Sequence, residues 1–260
     1  YAGPGIMISF IIAALGCAFA GLCYAEFASM IPVAGSAYTY SYATMGEFIA
    51  WIIGWDLVLE YAVGAATVAS SWSGYLGKLF NSFGVNLPEE LLMTPFDVSS
   101  SGVAGLINLP AVFIVVVMSL VLIKGTSESA WVNTAIVILK VAIVLIFIFV
   151  GFKYVKAENL TPLIPENTGK FGEYGWSGII RAAAVVFFAY IGFDAVSTAA
   201  QETKNPKKAM PIGIMGSLLI CTVLYIVFAY VMVGVVHYKE FTAGGGSDHL
   251  APVAIAIDAM

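Results

Sequence analysis

The feature that most constrains this chain is a recurrence: apolar runs of bilayer-crossing length return six times between polar connectors, at about 6–28, 48–75, 103–123, 131–152, 178–200 and 212–236. A helix needs about 20 apolar residues to cross the hydrocarbon core. The expected fold is therefore all-α, a polytopic membrane helix bundle forming a single transmembrane domain.

Composition supports that solvent assignment. Apolar residues make up 60% of the chain and charged residues 10%, with a mean hydropathy of +0.94. A soluble domain carries roughly 25% charged residues, and a surface so poor in charge would aggregate in water. Lipid is the solvent that remains. The 26 glycines suit close helix packing in a membrane. A net charge of −5 argues against nucleic acid as a partner, since that would require a basic face. Cys17, Cys23 and Cys221 all lie within apolar runs and read as small packing residues, not as a disulfide framework. The first run is too long for a secretory signal and lacks a basic leader and a cleavage site. Because the chain opens at Tyr1 and closes at Met260 beside a new apolar patch, further helices are expected at both ends.

The connectors differ in character. Residues 30–42 are polar and hold a proline, and the second run exceeds what a membrane needs, so a tilted helix is expected. Pro88, Glu89, Glu90, Pro95 and Asp97 mark a loop. The third run ends at Lys124-Gly125, and 126–128 reads as a short turn before the fourth. A polar stretch over 153–174 separates two halves. The fifth run stops in Gln201-Glu202-Thr203-Lys204-Asn205-Pro206-Lys207-Lys208, where proline cannot continue the helix, and a glycine-rich loop over 242–248 follows the sixth. Lys204, Lys207 and Lys208 sit beside span ends and favour that side as cytoplasmic.

An ionisable group within a span costs a few kcal/mol to insert, so each one asks for a reason. Lys140 lies in the middle of the fourth run, flanked by aliphatic residues and far from either end. It reads as a proton-coupling group, or as a structural lysine held by carbonyls or an acid. Asp56 and Glu60 are four residues apart in the second run and share a helix face, which either lines a cavity or braces a helix contact. Asp194 follows Gly192 in the fifth run, where a helix most easily loses its regular backbone. Glu26 and Arg181 lie at span ends and read as interfacial. Trp51, Trp55, Trp72, Trp131 and Trp176 mostly fit an aromatic belt. Asn159-Leu160-Thr161 matches a glycosylation sequon, a pattern frequent by chance. His237 and His249 fall in or beside a loop, so no metal or other cofactor is expected.

Three blocks carry a family resemblance. Pro32-Val33-Ala34-Gly35-Ser36-Ala37-Tyr38 resembles the first cytoplasmic loop of permeases in the amino acid–polyamine–organocation superfamily. Gly54-Trp55-Asp56-Leu57-Val58-Leu59-Glu60-Tyr61 is similar to their third helix, above all in the cationic amino acid transporter branch. Phe187-Phe188-Ala189-Tyr190-Ile191-Gly192-Phe193-Asp194, continuing to Glu202-Thr203-Lys204-Asn205-Pro206, resembles the sixth helix and its cytoplasmic exit. The similarity runs through the chain as helices two to seven of a larger fold.

The resemblance implies part of a 5+5 inverted-repeat transporter fold whose sixth helix is broken near mid-membrane. It further implies that the carbonyls of Phe188, Ala189 and Ile191 receive a substrate's α-ammonium, with the Phe188 ring as a gate. Gly192 and Asp194 would hold the unwound segment, Lys140 would stand where related transporters keep sodium, and Glu60 would line the proton-linked side. The family's first helix, with its glycine-rich break, precedes the residues given. The implied function is secondary active transport in the cell membrane, a proton symport of cationic or small neutral L-amino acids by alternating access. Exchange without net proton flow, or a non-transporting amino acid sensor, are the alternatives, and a small accessory membrane subunit is left open. An enzyme finds no support, with no histidine pair at metal spacing and Ser247-Asp248-His249 adjacent in a loop.

Overall fold

A computed structural model describes residues 1–85, 87–96, 102–123, 126–243 and 252–260. Lys124-Gly125, Asp97, most of the glycine-rich loop and the Ser247-Asp248-His249 triplet lie outside the described residues. Among those described, regular structure is helical, and five helices are long and apolar enough to cross a membrane. In order, the α-helices of ten or more residues are α1 (Ile6–Met30), α2 (Ser36–Met45), α3 (Glu47–Ser82), α4 (Leu109–Ile123), α5 (Thr126–Gly151), α6 (Gly175–Val186) and α7 (Pro206–Val235). The chain is a multi-pass membrane protein.

Several boundaries differ from the sequence reading, each for a local reason. The third run does not form a helix over 103–108: α4 starts only at Leu109. The Asn108 carboxamide oxygen accepts from the Ala111 N–H at 3.1 Å, and its NH₂ donates to the Leu92 carbonyl at 2.9 Å. Asparagine at the cap with proline just inside it is a helix-start signal that hydropathy cannot register. At 15 residues, α4 falls short of the other spans. The turn expected over 126–128 is the first turn of α5, and threonine, serine and glutamate are residue types suited to a helix start. Pro206 does not merely stop the preceding element but opens α7, so Lys207 and Lys208 belong to a helix.

The chain divides into two compact units, Tyr1–Glu60 with Leu160–Tyr230, and Tyr61–Asn159 with Val231–Met260. In the first, α1 is apolar all round, and residue size sorts its faces. Ser9, Ala13, Cys17, Gly21, Ala25 and Ala28 are its buried residues, nearly all at four-residue spacing. Small side chains along one i+4 ridge let helix backbones approach closely without lipid between them. Ala2 packs with Ile179 and Ala182, Ala13 and Cys17 with Tyr190, and Ala25 and Ala28 with Ala200. That sequence of contacts makes α1 and the 175–202 segment parallel neighbours. Ile214 and Leu218 of α7 fill the same clusters in reverse order, so α7 returns antiparallel. The Ser9 hydroxyl donates to the Ile179 carbonyl at 2.9 Å, a polar link between α1 and α6 in a buried setting.

The second unit gathers the C-terminal part of α3, α4, α5 and the chain end. The Leu106 and Ile107 N–H groups donate to the Glu90 carbonyl at 2.8 and 3.3 Å. The Asn159 carboxamide donates to the carbonyls of Gly234 and Val235 at 2.9 and 3.2 Å. The nitrogen that a sequon would offer is therefore engaged in closing the fold.

Candidate functional site

The 175–202 segment leaves α geometry at mid-length. Val186 ends α6, a 3₁₀ turn covers Phe187–Tyr190, Gly192 takes a φ of 108°, and a second 3₁₀ stretch runs over Ala195–Glu202. A positive φ of that kind is open to glycine at little steric cost, which explains why the chain turns there. Helical i to i−4 bonding lapses across 187–192, so the carbonyls of Phe188, Ala189 and Ile191 are released from a regular ladder in an apolar segment. Such backbone is tolerated at membrane depth only where it is covered by protein or lines a cavity.

Side chains of the neighbouring elements meet this turn. The Tyr225 hydroxyl of α7 donates to the Ala189 carbonyl at 2.9 Å, and the Ile191 N–H donates to the Phe188 carbonyl at 3.3 Å. The Tyr190 hydroxyl donates to the Phe10 carbonyl at 3.1 Å. Phe188 is at the surface of its unit, 38% exposed, whereas Tyr190 is buried. A cavity of about 230 Å³ lies between the turn and α7, lined by Ala189, Tyr190, Gly192, Phe193, Leu218 and Tyr225 among others.

Asp194 is 5% exposed and accepts a hydrogen bond from the Ser36 hydroxyl at 3.3 Å. Ser36 opens α2 with a φ of 49°, a strained setting for serine that aims its side chain at the acid. Tyr24 of α1 sits edge-on to Phe193 at 5.6 Å and lies within electrostatic reach of both Asp194 and Glu60. Glu60 and Asp194 in turn interact with each other across the first unit.

The structure thus brings Glu60, Gly192, Asp194 and the 188–191 backbone into one unit. Asp56 is exposed on α3. Lys140 belongs to the second unit, where α5 leaves it exposed and not in the buried setting the sequence suggests. Among the described residues no group of three His, Cys, Asp or Glu could hold a metal ion. Sequence reasoning missed Tyr24 and Tyr225, and named Ser36 and Tyr190 only within the family blocks, with no role of their own. A tyrosine in an apolar run seeks a partner for its hydroxyl, and that was the signal available.

The amino acid permease family model matches residues 1–259. The chain belongs to the amino acid permease family. The chain is 48% identical over 256 residues to the branched-chain amino acid permease BcaP of Bacillus subtilis, covering 98% of the chain and 52% of that protein. It is 46% identical over 243 residues to a methylthioribose transporter of the same organism, covering 94% of the chain and 50% of the relative. Cationic amino acid transporter 9, chloroplastic, of Arabidopsis thaliana is 39% identical over 242 residues, 92% of the chain and 41% of that protein. The chain spans about half the length of the curated relatives it matches. As a permease-family member it belongs with carriers and not with enzymes.

Proposed function

We propose that the whole protein is a secondary active transporter of L-amino acids in the cell membrane, coupling cationic or small neutral substrates to a proton by alternating access. The observation that carries this reading is the break at 187–192, set beside a buried acid within an apolar segment. Released carbonyls at Phe188, Ala189 and Ile191 are acceptors suited to an α-ammonium group, since each oxygen has two lone pairs and an internal bond uses only one. The Phe188 ring, at the surface of its unit, is free to cover a bound ligand. Gly192 supplies the bend and Asp194, tied to Ser36, holds the segment's exit.

Proton handling falls to Glu60 and Lys140. Glu60 faces Asp194 within one unit, and a carboxyl in that position takes up or releases a proton as the substrate enters. Lys140 is a mid-span amine whose charge is costly in lipid unless it is paired or given up. Each is assigned a part in proton coupling, and the single transmembrane domain carries both.

The relatives' names span branched-chain amino acids, methylthioribose and cationic amino acids, so a ligand panel is the test. The full-length protein in detergent should gain thermal stability with one class of L-amino acid and not with the matching D-isomer. A gain with 5-methylthioribose alone, and with no amino acid, would refute amino acid transport.

A further inference from the structure

Ala189 is not left to a ligand alone. Its carbonyl accepts the Tyr225 hydroxyl at 2.9 Å, from a residue on α7 that is 36 positions away in sequence. Tyr225 is itself held in place: its ring lies 5.6 Å from Phe10 and 5.3 Å, edge-on, from Tyr190. Tyr190 completes the clasp by donating to the Phe10 carbonyl at 3.1 Å. One non-helical turn is therefore tethered both to α1 and to α7, through two phenol-to-carbonyl bonds.

The two tethers differ in consequence. Tyr190 binds a helix carbonyl outside the turn, so it fixes where the turn sits. Tyr225 binds a carbonyl of the turn itself, so it fixes where that oxygen points. A cavity of about 230 Å³ lies on the α7 side, which leaves the turn room to rotate if the hydroxyl is removed. A carbonyl oxygen accepts two hydrogen bonds, so the phenol occupies one lone pair and leaves the other for a cation.

We propose that Tyr225 is a positioning residue for substrate recognition, orienting the Ala189 carbonyl toward the α-ammonium group of a bound amino acid. This rests on the transport reading above. Tyr225→Phe removes one oxygen atom and keeps the ring that packs on Phe10 and Tyr190. A hydrogen bond of this kind is worth up to about a tenfold change in an equilibrium constant.

The experiment uses the full-length protein in proteoliposomes. Its preferred L-amino acid is compared with the 2-hydroxy acid of the same side chain, which carries a hydroxyl where the amino acid carries an ammonium. In Tyr225→Phe, KM for the amino acid should rise by about five- to tenfold with kcat nearly unchanged, while inhibition by the hydroxy acid shifts by less than about twofold. Tyr225→His, which keeps a ring and an N–H donor, should recover part of the lost affinity. An unchanged KM, an equal loss for both ligands, or failure to recover folded Tyr225→Phe together with an unaltered KM in Tyr225→His would overturn the positioning role. If the parent protein takes up no amino acid at all, the transport reading falls and this proposal with it. A parent that transports while its variant behaves identically removes only the proposal.

Discussion

Asp194 and Glu60 are both acids in apolar helices, yet they occupy different settings. Asp194 is buried and accepts from Ser36, whereas Glu60 is half-buried on α3. A structural acid loses stability when neutralised, while a proton carrier loses pH response. Glu60→Gln should therefore leave the melting temperature within a few degrees and flatten the pH dependence of uptake. An unchanged pH profile would return Glu60 to a bracing role. Lys140→Ala should abolish uptake driven by a pH gradient while facilitated equilibration persists, as measured by counterflow. Outside the membrane, the Glu173 carboxyl is held below its usual value of 4.5, chiefly by the Thr168 hydroxyl at 2.7 Å and secondarily by Lys170. A depressed folded pKa contributes stability above the unfolded value and loses it as pH falls through the folded one. Any stability gap between the parent and Glu173→Gln should accordingly be present at neutral pH and shrink as pH falls below the usual value of 4.5 in thermal melts. Of these residues Asp194, Glu60 and Lys140 stood out in the sequence because charge in an apolar run is conspicuous. Ser36, Tyr24 and Tyr225 did not, since hydroxyls cost little to bury once bonded and leave no mark on hydropathy.

Among the elements, α1 explains how a helix with no polar face can still choose its neighbours. Its small residues at Ser9, Ala13, Cys17, Gly21, Ala25 and Ala28 set the contact line. Cys17 is fully buried while Cys23 on the same helix is exposed. Cys17→Leu should overpack the ridge at a cost of about 1–3 kcal/mol and lower the melting temperature, while Cys23→Leu should be near neutral. Equal effects from the two would contradict the ridge. Gly178 makes the same point on α6, where a Cβ would run into the Tyr1 carbonyl oxygen; Gly178→Ala should displace the chain start and destabilise. Helix existence was readable from apolar length, and so were most boundaries to within a turn. The late start of α4 was not, because the Asn108 cap and its bond to Leu92 are decided by local geometry and not by hydropathy. Similarly, the α3 helix continues to Ser82, beyond the expected 75: Lys78 and Asn81 end the apolar run, but no proline breaks the helix there. The break at 187–192 could be anticipated from the family likeness, but Gly192 alone is too common a residue in membrane helices to predict it.

At the scale of the whole molecule, two compact units are built from one sequence, and the residues assigned to substrate and to proton handling are divided between them. The 188–191 backbone, Glu60 and Asp194 lie in the first, and Lys140 lies in the second. Composition points to lipid as the solvent, and the family match places the chain among the amino acid permeases. Coupling is the claim on which the rest depends, and it concerns the full-length protein. The most direct measurement is accumulation of its preferred radiolabelled L-amino acid in proteoliposomes, with and without an imposed pH gradient, inside alkaline. Proton symport predicts uphill accumulation only with the gradient, abolished by a protonophore and by Lys140→Ala. Accumulation that is the same without a gradient, or that survives the protonophore, would contradict it.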